Sequence, residues 1–569
     1  MPKFEVQINR DKRWITQEIH DEERSALDTA KTIVKSRQVD GVRVINDRLG
    51  PDGLHRERVV FEEILGAMPE APIRLNPIEE GAYCGSVEEV YGLESRMTIA
   101  RLLRKYLESR VLIPSELLYC YSPLSKLEDV DGALLPAAVD RMVTLHCRAN
   151  EALNAKAWKD ELYRWVAEIG RRARKAEGEK LLWKVTLADF RRVLAAVSKC
   201  AFIHEEQVQL LRHVIARETY KERNYLGKLE VLLACLSDEL SEDTLKILDG
   251  FIADTLNVSQ VIQEILGSRP NLSNALIGLL DLMEGKAGPD ALDDPDTVKV
   301  LRRLFKENKL PSGLTVLMER VTREIGGRQP LARNDPTQEH EAFLALMERL
   351  VRRDGVAGGA PVAAALTRRY GLRLEQGGAT GWRLSIEGVS HLLRDKARRL
   401  HYLFAVADCQ ADGQHMTAVA EEVVQVIKEA ANLDYFVDPR LSTTEKLQIM
   451  SGLQRALMES TLPEVLRTRV CGRLDDLLAR YLVENRVVEK LDSPSDSLRV
   501  RAVRLVRFCG SGILIEGKAL TLARSRVLHH LRQPNFVEEF TRDVKEVKER
   551  ESTVREFYRM LAESGFSAG

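Results

Sequence analysis

Aromatic residues make up only 6% of this 569-residue chain, and no apolar run approaches the roughly 18–20 residues that a membrane-spanning helix needs. Charge of one sign is missing too. The 85 Lys and Arg stand against 86 Asp and Glu, a formal −1, which excludes a global field drawing the whole chain onto nucleic acid or anionic lipid. The eight cysteines (Cys84, Cys120, Cys147, Cys200, Cys235, Cys409, Cys471 and Cys509) contain no CxxC pair, which excludes a zinc ribbon or a thioredoxin-type redox site. They read as buried free thiols of a reducing compartment. Cys200 and His204 are spaced to share a helix face, but no companion ligands follow. Hydrolase signatures are lacking as well: there is no GxSxG elbow and no HExxH helix. His20-Asp21 is a literal HD dipeptide, with Asp21 placed to cap a helix. The start, with Arg10, Asp11, Lys12 and Arg13, holds no secretory apolar region, so a cytoplasmic location is expected.

What is present is a change of hydrophobic period. In residues 1–65, Phe4, Val6 and Ile8 alternate, Trp14 to Thr16 return as a second strand, and Leu27, Ala30 and Val34 mark a helix. Val42–Ile45 and Arg58–Phe61 then flank the turn-rich Gly50-Pro51-Asp52-Gly53. This predicts a ββαββ module, followed by a linker at 66–80 carrying Pro69, Pro72 and Pro77. From residue 81 the helical period takes over: Val208, Leu211, Ile215 and then Leu245, Leu248, Ile252, Leu256 are two of many stripes. Gly267 and Gly285 read as helix ends, Pro295 and Pro311 as helix starts. Ser86–Glu89, Ser442–Glu445 and Thr461–Glu464 match capping boxes. Short helices with short connections pack as antiparallel neighbours. The expected fold is therefore mainly α: an irregular multi-helix bundle or α-solenoid body, a small N-terminal α+β module, and one inserted β-hairpin. The hairpin is expected at Leu372–Gln376 and Trp382–Ile386, around a Gly-rich turn. The helical body is divided into 81–330, 331–440 and 441–569.

Gly512-Ile-Leu-Ile-Glu-Gly517-Lys518 satisfies GxxxxGK, yet Ala519 stands where a P-loop needs Ser or Thr for magnesium, and a helical pattern precedes it where a strand is required. A helix stop and turn explains the glycines. The segment 349–402 holds eleven Lys and Arg against four acids, a net +7. Its candidate contact residues are Arg352, Arg353, Arg368, Arg369, Arg373, Arg383, Arg394, Lys396, Arg398 and Arg399. A helix followed by a basic hairpin resembles a winged-helix layout, with Arg383 on the wing, although no three-helix core precedes it. In 158–192, Trp158, Leu162, Trp165 and Ile169 fall on one helix face among arginines, which reads as core with the arginines at its edges. No residue is singled out as general acid or base, and no metal or cofactor is expected. The function expected is a non-catalytic scaffold or adaptor that recognises protein partners through helical and basic surfaces. The alternative is a nucleic-acid-binding regulator that uses 349–402.

Overall fold

In the computed structural model, which describes residues 3–10, 13–36, 39, 41–49, 55–63, 73–129, 133–287, 295–372, 374, 378–409 and 413–566, the alternation at the N-terminus builds a sheet with two unlike faces. Strands β1 (Lys3–Arg10), β2 (Arg13–His20), β3 (Gly41–Leu49) and β4 (His55–Glu63) pair antiparallel in the order β2-β1-β3-β4. Phe4, Val6 and Ile8 of β1 and Val42 and Val44 of β3 are buried against Ala26 and Ala30 of the Glu23–Ser36 helix. The other face mixes apolar Ile19, Ile45 and Val59 with a polar network. Gln7 Nε2 donates to Glu5 Oε2 (3.0 Å) and Thr16 Oγ1 (3.1 Å), and Arg43 Nε donates to Gln7 Oε1 (2.9 Å) with its guanidinium 4.4 Å over Trp14. A period of two sends one set of side chains to each face.

The remainder is helical, with 27 α-helices among the described residues and one short hairpin, so the fold is mainly α with a ββαββ module, as the sequence predicts. The chain divides into two compact units, residues 1–183 with 197–217 and residues 184–196 with 218–569. No helix among the described residues is long and apolar enough to cross a membrane.

The hairpin is not where the sequence reading places it. Trp382–Ile386 belongs to the helix Gly378–Leu392, with Ser385 Oγ donating to Gly381 O at 2.7 Å, one turn back. The alternation there is the start of a helical stripe: Ile386, Val389 and Leu393 are buried, while Leu384 is exposed. Gly388 allows the Tyr370 ring to pack onto that helix, since a Cβ there would lie 2.3 Å from the ring. Of the expected first arm, Leu372 ends the helix Gly359–Gly371, and residues 373 and 375–377 lie outside the described residues. The hairpin that does form is β5 (Val351–Arg352) with β6 (Gly355–Val356), joined through Arg353-Asp354. Its turn carries the Asp354-Gly355 signal, but its arms are too short to show a period.

Short helices leave many backbone groups to satisfy at their ends. Ser241, Asn271, Asp395 and Ser442 accept from their own first turns, and Ser442 with Glu445 completes the predicted capping box. The other two boxes do not form. Ser86 makes no cap bond, and Glu89 instead accepts from Gly85 N at 2.7 Å. Thr461 bonds Asp408 Oδ1 and Ala407 O, at the end of the helix Lys396–Ala407.

Where the local residue has no polar side chain, a neighbouring helix supplies the cap. The helix Pro311–Gly326 starts after Leu310, and its Ser312 and Gly313 amides donate to Asp249 Oδ2 (2.7 Å) and Oδ1 (3.0 Å), from the helix Glu242–Leu256. At its other end Arg369 donates to Glu324 O (2.9 Å), Ile325 O (2.8 Å) and Gln329 O (2.6 Å). Both Asp249 and Arg369 are buried. Replacing Asp249 with Ala orphans two amides, one of them buried, and is expected to cost about 2–3 kcal/mol. Asn, which retains an acceptor, should cost about half that, measured by urea unfolding. Equal stability of D249A and wild type would contradict the capping role.

Candidate functional site

Of the ten basic residues proposed as a contact surface, the fold sends two inward. Arg369 is the helix cap just described. Arg399 is buried, with Nε donating to Ser390 Oγ (2.5 Å) and Nη2 paired with Glu422 (2.7 Å). Neither is a surface contact, because each guanidinium is buried and bonded inside the fold. Three more are engaged by acids: Arg352 pairs with Glu284, Arg353 with Asp395 (2.7 Å), and Arg383 with Glu387 (2.9 Å) and Glu421 (2.7 Å). Arg383 thus sits on a helix and not on a wing. Half-buried Lys396 lies 5.5 Å over the Tyr435 ring, and half-buried Arg398 has an Nε without a hydrogen-bond partner. Arg368 and Arg394 are exposed and make no ion pair among the described residues, whereas Arg373 lies outside them. The +7 of the segment is partly offset by acids the sequence holds elsewhere, at Asp281, Glu284 and Glu421–Glu422.

The GxxxxGK string is likewise occupied. The helix Lys518–Leu531 begins after Gly517, and its Lys518 and Ala519 amides donate to Asp475 Oδ2 (2.5 Å) and Oδ1 (3.2 Å), while Lys518 Nζ pairs with Asp476 (2.6 Å). A Cβ on Gly517 would stand 2.6 Å from Asp475 Oδ2, so the glycine admits a carboxylate where a P-loop would admit a phosphate. The element before it is the helix Leu498–Gly510.

In the region 158–192 the helix Ala155–Glu177 buries Trp165 and Ile169 and half-buries Trp158 and Leu162, in keeping with one core-facing stripe. Trp158 Nε1 donates to His146 Nδ1 (3.0 Å), and His146 Nε2 donates to Ala82 O (2.9 Å), so the ring is neutral with its proton on Nε2. His213 Nδ1 donates to Tyr119 O at 2.8 Å. Burial holds His146, His213, His401 and His530 below the usual imidazole range. His530 bonds the buried Asp492 (2.7 Å), the pairing that orients a catalytic base. Its Nδ1, however, faces the Gln533 amide at 3.4 Å and the ring is buried, so the pair acts as an internal tie.

Cys200 ends one helix (Phe190–Cys200) and His204 opens the next (His204–Tyr220), so they do not share a helix. Among the described residues no three His, Cys, Asp or Glu converge to hold a metal ion. All eight cysteines are free, and burial raises the thiol pKa of Cys235 to about 12 and of Cys509 to about 11.

What sequence reasoning did not find is an apolar, solvent-facing segment in the first unit. Phe202 is 99% exposed and Ile203 57%, in the turn between the helices Phe190–Cys200 and His204–Tyr220. Leu181 is 61% and Trp183 62% exposed, in the turn after the helix Ala155–Glu177. These side chains ride on fixed backbone. Trp183 Nε1 donates to Glu177 O (2.9 Å), Arg217 Nη1 holds Leu182 O (2.7 Å), and Gln207 Nε2 holds Ala201 O (2.9 Å). The only sequence signal is that none of the four belongs to a stripe. No family model, no curated protein and no solved structure matches this chain.

The histidines set a pH response. The unfolded chain takes up protons near pH 6.5, whereas the buried imidazoles resist until lower pH. Stability is therefore full above about pH 6.5 and falls as pH drops through the window below it. The urea midpoint is expected to be lower at pH 5.5 than at pH 7.5, with a smaller drop in His213→Leu. A midpoint that rises on acidification would contradict this.

Proposed function

We propose that the chain is a non-catalytic interaction protein, a helical scaffold or adaptor that recognises protein partners, with Trp183 and Phe202 as its anchors. The observation that carries this reading is the exposure of Leu181, Trp183, Phe202 and Ile203 on turns pinned by hydrogen bonds. Full burial of such a side chain is worth about 1.5–3 kcal/mol, and a partner recovers the share that still faces water. A tryptophan already held by its indole N–H loses little further freedom on docking. Arg368 and Arg394, exposed and without an ion pair among the described residues, would add electrostatic selectivity. Nucleic-acid recognition through 349–402 ranks below this reading, because two of its ten candidate cations are buried and three more are paired with acids.

The test is capture of partners from the chain's own cell extract, with and without nuclease, on wild type, Trp183→Ala and Phe202→Ser. A discrete set of proteins that survives nuclease and falls at least about tenfold in the variants is expected for anchor residues. An unchanged set in both variants, or partners released by nuclease alone, would overturn the reading.

A further inference from the structure

The inner side of the helix Ala155–Glu177 closes a cavity of about 170 Å³ within the first unit. Its wall is drawn from several short helices and their connections, represented by Leu103, Leu118, Leu127, Val139, Trp165 and Ile169. Four polar side chains also reach the wall, and their groups are engaged elsewhere. Thr98 Oγ1 donates to Glu94 O (3.0 Å) and accepts from Ala82 N (3.0 Å). Both nitrogens of His146 are bonded, as described above, and the Ser95 hydroxyl and the Cys84 thiol bond each other. Apart from the Trp165 indole N–H, the cavity thus presents neither a free donor nor a free acceptor. A water molecule needs two to four polar partners to settle, and a sugar, nucleotide or ionised group needs more. Apolar groups need none. Leu135, Met142 and Leu162 on the wall are only half-buried, which gives the space an apolar approach.

Volume sets the size of the occupant. An apolar cavity of about 150 Å³ accepts benzene, so 170 Å³ suits a single substituted ring or an alkyl segment of about six to eight carbons. We infer that this cavity is a binding site for a small uncharged hydrocarbon group. The inference is independent of the partner reading, since neither Trp183 nor Phe202 lines the cavity.

Titration calorimetry of the full chain with toluene tests it, with octanoate as a second arm. Ala138 stands on the wall, so Ala138→Phe places a ring in the space. Because that variant risks misfolding, protection of Cys84 is measured on wild type in parallel. Cys84 also lines the cavity, and its modification by a small neutral thiosulfonate is located by mass spectrometry. Saturable single-site binding of toluene, weakened at least about tenfold in A138F and slowing modification of Cys84, is the expected result. Binding of toluene alone assigns a ring, and binding of octanoate as well assigns a chain whose carboxylate stays outside. Failure of both ligands to bind wild type would overturn the inference, as would toluene binding that neither A138F nor Cys84 registers.

Discussion

Satisfying helix ends is the constraint on which the rest of this molecule depends. Each helix terminus leaves four backbone donors or acceptors without intrahelical partners. A body of many short helices multiplies those termini without enlarging the core in proportion. The helix Pro311–Gly326 shows the solution most fully: a carboxylate from one neighbour closes its N-terminus and a guanidinium from another closes its C-terminus. Both charges also match the helix dipole in sign. Asp475 does the same for Lys518–Leu531, and Arg473 and Arg480 donate to Ala430 O (3.0 Å) and Ala431 O (3.2 Å), just past the helix Gly413–Glu429. These contacts bridge residues far apart in sequence, so they tie helices to one another while completing their hydrogen bonding.

That arrangement explains a chain that is 30% charged yet nearly neutral. A large part of the charge works between elements, and the net charge of a stretch of sequence says little about the surface it forms. Arg349 illustrates this. It opens the basic segment, yet its guanidinium lies 2.8 Å from both Asp281 and Glu284.

The architecture was legible because hydrophobic period reports which face is buried. Alternation in β1 and the helical stripes beyond residue 81 required no knowledge of partners. The one misread element, Trp382–Ile386, shows the limit of a short window, since five residues fit both periods and only Val389 and Leu393 decide between them. The capping box at Ser442 forms where its helix starts, whereas the helix after Thr461 starts beyond Pro463, and Ser86 precedes a helix without bonding to it. The burial of Arg369 and Arg399 was not legible, because Glu324, Ile325 and Glu422 lie more than twenty positions away. Nor was the exposure of Phe202, since the direction of an aromatic side chain in a turn is set by neighbours distant in sequence. Among the apolar side chains that remain at the surface, Leu181, Trp183, Phe202 and Ile203 sit on turns held by hydrogen bonds, and the interaction reading rests on them.

Hydrogen exchange of the full chain reads the helix ends directly. First-turn amides of a helix ordinarily face water and exchange within the first stages of fraying. Internal capping predicts that the Ser312, Gly313, Lys518 and Ala519 amides are protected to the degree of the central turns of their helices. Exchange of these four at the rate of open loops would contradict the account.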